Sequence, residues 1–254
     1  MNHRKLGLLM LMLTLLAGCV IVLAQEDPVQ PQPPAVALNL NLNDGADWAA
    51  VAKILLLMTL LSFLPAILFG MTCFTRILIV LSFARQTFGV QNLPPNQVLI
   101  GLALFLTAFV MTPVWEKVYH NAWQPYQSKQ INTEEAWQRG IAEFHTFMRT
   151  HTREKDLALM IYLSKQPAPA SDTEISLPLL VPAFIVSELT IAFQMGFMIL
   201  LPFLIVDIVV ASTLLAMGMM MVPPAVVATP FKILLFILVD GWHLVVKNLV
   251  LSYG

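Results

Sequence analysis

The chain has 254 residues, 58% of them apolar and only 11% charged, with a mean hydropathy of +0.76 and a formal charge of -1. Soluble domains usually give about a quarter of their residues to charge, and a near-neutral chain offers no positive field to a nucleic acid backbone. Fifteen of the charges lie between Trp115 and Ile175, which leaves long uncharged stretches on either side and marks a polytopic membrane protein.

In chain order, residues 1–24 carry Arg4 and Lys5 ahead of an apolar run that ends in small residues, the layout of a secretory signal. Cleavage after Ala24 is favoured over lipidation at Cys19, because the apolar run continues through Val20 to Leu23. Residues 25–47 then read as a polar, Pro-rich tether. Loss of Cys19 with the signal would leave Cys73 alone, so neither a disulfide within the chain nor a Cys-based zinc site is expected.

Residues 48–114 hold two hydrophobic segments, the first kinked near Pro65 and the second running from about Gln97 to Pro113. Between them Arg76 and Arg85 interrupt an apolar stretch with no acid nearby, which places this connection on the cytoplasmic side. Residues 115–176 are the water-compatible part and read as a small extracytoplasmic helical domain. Asn132 and Glu135 fit a capping box there, and Trp137, Ile141, Phe144 and Met148 recur on one helical face. A second helix is expected from near Thr152 to the Pro167-Ala168-Pro169 breaker.

From Leu177 to Val222 the only charges are Glu188 and Asp207. As helix, this stretch would measure about 69 Å, roughly twice a bilayer core, so it must bend back, with Pro202 as the bend, or extend beyond the membrane. It ends in MGMMMVPP, and residues 223–254 supply a Pro turn and a terminal hydrophobic helix. The fold class is therefore all-α and membrane-associated, with about four hydrophobic helical segments or hairpins.

A carboxylate in an apolar segment should face a partner, a water path or an assembly interior. Glu188 and Asp207 would lie about 28 Å apart on one helix, too far to act as an acid pair unless the segment folds back or they come from different subunits. Lys232, near the start of the last segment, is the expected partner of Glu188 in a buried ion pair. Arg76 and Asp207 are read as structural polar anchors. The methionines could pack around a changing object or seal a narrow gap. HExxH, GxSxG and GK[ST] motifs are absent, and the histidines form no compact ligand set, so no enzyme, metal or cofactor is expected.

Three blocks in order resemble a known family over nearly all of residues 50 to 250. They are FTRILIVLSFARQTFG with LPPNQVLIGLALFLTAFVM, then LLVPAFIVSELTIAFQMGFMILLPFLIVDIVVASTLLAMGMMMVPP, then PFKILLFILVDGW. The resemblance is to the FliP family of flagellar and virulence type III secretion export-gate proteins. It implies a non-enzymatic, pore-forming core subunit in the bacterial inner membrane, at the centre of the flagellar basal body, with much of the chain displaced toward the periplasm. The signal and tether point to the flagellar branch. The implied partners are further copies of the chain in a helical ring, FliQ-like and FliR-like subunits, other flagellar export-gate proteins and unfolded export substrates. The resemblance maps a pore gasket onto Met219, Met220 and Met221, and places Glu188 and Lys232 where neighbouring subunits are held together. A proton-coupled membrane transporter and a structural organiser without a pore remain the alternatives.

Overall fold

The computed structural model describes residues 45–89, 94–165, 175–219 and 221–254. The signal, with its Ala24 and Cys19 alternatives, and the tether up to residue 44 lie outside the described residues. Within them every regular element is helical. In order these are α1 (Gly45–Gly70), α2 (Phe74–Gln86), α3 (Asn96–Val110), α4 (Thr112–Val118), a π-helical turn (Tyr119–Trp123) and α5 (Gln124–Gln127). They continue with α6 (Thr133–His151), α7 (Glu154–Ser164), α8 (Leu177–Ala216), α9 (Pro224–Leu238) and α10 (Gly241–Leu251).

The chain divides into two compact units, one ending at Phe69 and one starting at Gly70. In the first, α1 runs unbroken through Pro65 and exposes Leu55, Leu56, Met58, Leu60 and Leu61. A helix that is apolar on all sides suits a hydrocarbon or protein environment and not water. Its hydroxyls are satisfied internally: Thr59 Oγ1 donates to the Leu55 carbonyl at 2.7 Å and Ser62 Oγ to the Met58 carbonyl at 2.8 Å.

In the second unit α8 is the spine, packed by α2, α6, α7 and α9. It is one continuous helix of 40 residues with Pro182 and Pro202 inside it, about 60 Å long. The expected hairpin at Pro202 does not form. The sequence around that proline carries none of the glycine or polar turn residues that a chain reversal needs, so the excess length is taken up by extension. Alone, α8 is long and apolar enough to cross a membrane; α3 with the run Thr112–Gln127, and α9 with α10, qualify only if each bent pair is one broken span.

Both bends have local causes. Between α3 and the following run the axis turns by 51° where Pro113 sits in the first turn of α4 and cannot donate a hydrogen bond. The expected single terminal helix is instead two, α9 and α10, at 60° to each other. Asp240 takes a left-handed backbone with φ 49° at the corner, and a Cβ on Gly241 would lie 2.4 Å from the Phe236 ring. Only glycine allows the chain to turn so close under that ring.

The segment ahead of α8 follows the local signals. Asn132 Oδ1 accepts from the Glu135 backbone N–H at 2.7 Å and starts α6, while Trp115 packs edge-on against Phe144. Met148 is fully buried, but Trp137, expected on the same face, stays 67% exposed. The helix begins one turn before there is anything for that face to pack on.

Candidate functional site

Along the first half of α8 the buried residues are Leu180, Ala183, Phe184, Ser187, Glu188, Ala192 and Gly196, steps of three and four that define one helical stripe. The stripe is visible in the sequence as small or polar residues within an otherwise bulky run. At Gly196 the Phe83 side chain of α2 lies directly against the α8 backbone: a Cβ there would lie 2.3 Å from its ring.

Three polar links attach α8 to its neighbours. At the centre of the stripe Glu188 and Arg76 are 1% and 2% exposed and form a bidentate ion pair, Arg76 Nε donating to Glu188 Oε2 at 2.9 Å and Nη2 to Oε1. The remaining Arg76 nitrogen, Nη1, donates to the Ser252 hydroxyl at 3.1 Å and to its carbonyl at 3.4 Å. Tyr253 donates its hydroxyl to Glu188 Oε2 at 2.5 Å, and its ring lies 4.0 Å from the Arg76 guanidinium carbon. Burial and the Glu188 carboxylate push the Tyr253 phenol well above its ordinary range, so it stays protonated and remains a donor. Nearby, burial pushes the Cys73 thiol up to about 12, which makes it an inert packing group.

One residue earlier on the stripe, Ser187 Oγ donates to Asp156 Oδ2 at 2.7 Å and accepts the Arg153 backbone N–H at 3.0 Å. Arg153 Nε completes the link to Asp156 at 2.6 Å. Burial pushes the Asp156 carboxyl up, but the hydrogen bonds from Arg153 and Ser187 and the charges of Arg153 and Lys155 outweigh it and hold the group below its usual range.

The third link is Lys232 Nζ to Asp207 Oδ2 at 2.6 Å, joining α9 to the second half of α8. Gly89, with φ 67°, brings the loop after α2 alongside, where a Cβ would lie 4.0 Å from Lys232 Nζ. Asp207 Oδ1 is buried with no hydrogen-bond partner among the described residues.

The expected Glu188–Lys232 pair is therefore absent within the chain, and each ion has another partner. The reason is geometric: α9 doubles back along α8 and brings Lys232 opposite Asp207, nineteen residues and about 28 Å further along the helix than Glu188. Arg76 and Asp207, expected as polar anchors, each take a charged partner, Glu188 and Lys232. Arg76, expected to mark the cytoplasmic side because no acid lies near it in sequence, is 2% exposed and takes its counter-ion from 112 residues away. Sequence reasoning missed Ser187, Ser252 and Tyr253; Ser187 beside Glu188 on a small-residue stripe was the available signal, whereas the last two carried none.

On either side of Asp207 the character changes. Leu204, Ile205, Ile208, Val209 and Leu215 are exposed, and the helix closes in a glycine C-cap: Gly218, φ 77°, donates to the Leu215 carbonyl and Met219 to the Leu214 carbonyl, both at 3.0 Å. The loop that follows exposes Met219 by 43% and Met221 by 97%; Met220 lies outside the described residues. Pro223 and Pro224 then start α9. Among the described residues no group of His, Cys, Asp and Glu is placed to hold a metal ion.

An all-α chain of this kind, with a spanning-length apolar helix pinned by buried ion pairs and an uncovered apolar half, is a helical membrane-protein subunit. Residues 57–249 match the FliP family. The chain is 52% identical over 211 residues to the flagellar biosynthetic protein FliP of Bacillus subtilis, covering 83% of this chain and 96% of that protein. It is 48% identical over 225 residues to the FliP of Pectobacterium carotovorum, covering 89% and 87%, and 46% identical over 226 residues to that of Aquifex aeolicus, covering 87% and 92%. The chain belongs to the FliP family, and its role is that of a non-catalytic, pore-forming core subunit of the flagellar type III export gate, within a multi-subunit complex.

Proposed function

We propose that Met219, Met220 and Met221 form the constriction of this gate, several copies of the loop between α8 and α9 meeting around the path of an unfolded export substrate. The observation that carries the reading is the exposure of Met219 and Met221 at the tip of a capped helix. Apolar side chains that find nothing to pack on within their own chain are available to other chains. Thioether side chains are unbranched and adaptable, so a ring of them can close on itself, excluding hydrated ions, and yield to polypeptides of varied sequence.

In this reading the copies assemble as a helical ring with FliQ-like and FliR-like subunits at the centre of the basal body, with residues 115–176 on the periplasmic side. Lys232 contributes to the contacts between neighbouring subunits, whereas Glu188, sealed within the chain by Arg76 and Tyr253, supports them by fixing α8 on α2. Lys232 retains donors beyond the one it gives to Asp207, so it can serve a second acceptor without leaving the first. The extension of α8 to about 60 Å favours an assembly in which part of this apolar helix is covered by protein above the membrane.

The test is to measure ion leak and substrate export in assembled gates carrying Met219→Ala, Met220→Ala and Met221→Ala together. The expected result is increased resting leak with the complex still assembled. Unchanged leak and unchanged export would remove the constriction from these residues and favour a purely structural role.

A further inference from the structure

The hairpin arm made by α9 and α10 is tied to α8 at three points whose spacing matches. The first is covalent, the methionine loop. The second is Asp207–Lys232, and the third is the turn after α10, where Ser252 and Tyr253 close over the Arg76–Glu188 pair. From Asp207 back to Glu188 is nineteen residues of helix, about 28 Å, and from Lys232 on to Tyr253 is twenty-one, about 31 Å before the bend shortens the path. The arm therefore lies antiparallel to α8 in a register that satisfies both polar contacts together.

Between those contacts the arm is held by apolar packing on one stripe: Ala228, Lys232 and Phe236 are buried in α9 and Gly241, Val245 and Leu249 in α10, with the Phe236 ring against Phe203 of α8 and Phe88 after α2. Phe231, Leu234, Ile237 and Leu238 face outward. Apolar packing is non-directional and holds the arm against the body, whereas the polar contacts are directional and short and select the register. Because the methionine loop is the near end of this arm, its position is set by the same contacts.

We propose that Ser252, Tyr253 and Asp207 are positioning residues for the methionine loop: they fix the register of the α9–α10 arm on α8, and shifting that register moves the constriction. This rests on the pore reading given above and names the residues that govern it. Tyr253 acts from the far end of the arm, through Arg76 and Glu188, without itself reaching the loop.

The test uses the full chain in lipid nanodiscs with nitroxide labels on exposed positions, Gln194→Cys on α8 and Leu238→Cys on α9 reporting the arm, and Gln194→Cys with Gln86→Cys on α2 reporting the body. With Tyr253→Phe and Asp207→Asn combined, the arm distance is expected to gain a second population while the body distance stays single. The same pair in the assembled gate should raise ion leak several-fold at unchanged assembly, and Asp207→Glu in place of Asp207→Asn should restore part of the closure. A single unchanged arm distance overturns the proposal, as does equal broadening of both distances, which would mean general loosening. The pore reading fails separately: a mobile arm in a chain whose methionine substitutions leave leak and export untouched would condemn the constriction and not the latch.

Discussion

The two halves of α8 are made of nearly the same apolar residues and behave differently. From Leu180 to Gly196 one stripe is sealed by α2, α6 and α7; from Leu204 to Leu215 most side chains remain uncovered. Hydrophobicity alone does not separate them. What separates them is how small and polar residues are used: Ala183, Ser187, Glu188, Ala192 and Gly196 lie on one stripe against other helices, whereas Ser212 and Thr213 in the second half are exposed and donate back to the Val209 carbonyl of their own helix. The first half closes one stripe within the chain, and the second half leaves most of its apolar side chains uncovered.

The comparison can be broken most forcefully at Glu188. Glu188→Ala would strand the Arg76 guanidinium at 2% exposure, and removing one partner of such a pair costs about 3–5 kcal/mol. The expected outcome is loss of folded chain in detergent, read by thermal unfolding, with Arg76→Ala nearly as severe. Loss of less than about 1 kcal/mol in both would mean that the pair is not what fixes α2 on α8.

Gly196→Ala is next. The added Cβ would meet the Phe83 ring at 2.3 Å, and overpacking of this kind costs about 1–3 kcal/mol. Phe83→Leu should recover part of the loss in the double variant. Additive losses without recovery would show that the helices do not meet at this point.

A smaller effect is expected from Ser187→Ala, about 1 kcal/mol for the lost hydrogen bonds. It has a pH signature. Because Asp156 is held below its usual range in the folded chain, its stabilising contribution is fully present above an unfolded value of about 3.9 and is lost as pH falls through the folded value. Ser187→Ala should therefore cost its stability near neutrality, and the difference from the parent chain should shrink as pH falls and Asp156 protonates. A loss of the same size at acid and at neutral pH would contradict the link.

The smallest effect belongs to the uncovered half. Ile208→Ala, at a side chain 68% exposed, should leave the stability of the isolated chain within about 0.5 kcal/mol while weakening assembly of the complex. Equal indifference in both assays would deny this face a role.

Local order was legible where neighbours in sequence determine it. Asn132 and Glu135 marked the start of α6 through one side-chain bond across three residues, whereas Pro223 and Pro224 were read as a turn and in fact open α9. Glu188, Asp207, Lys232 and Arg76 were recognisable as residues that need partners, since charges in apolar segments always do. Which partner each takes was not legible, because Arg76 and Glu188 are 112 residues apart and their meeting depends on how three helices pack. The corner at Asp240 was missed although Asp-Gly is a turn signal, because the apolar run on either side read as one continuous helix. The length of α8 was read correctly as a problem, and extension was among the readings; the bend at Pro202 was the part that failed.

The most direct test of the contrast is site-specific photo-crosslinking in the assembled gate, with a benzophenone amino acid at Ile208 on the uncovered half of α8. The account predicts covalent adducts to other polypeptide chains, copies of this one or its partners. Adducts to lipid alone would contradict it, showing that this half of the helix faces the bilayer and that assembly is built elsewhere.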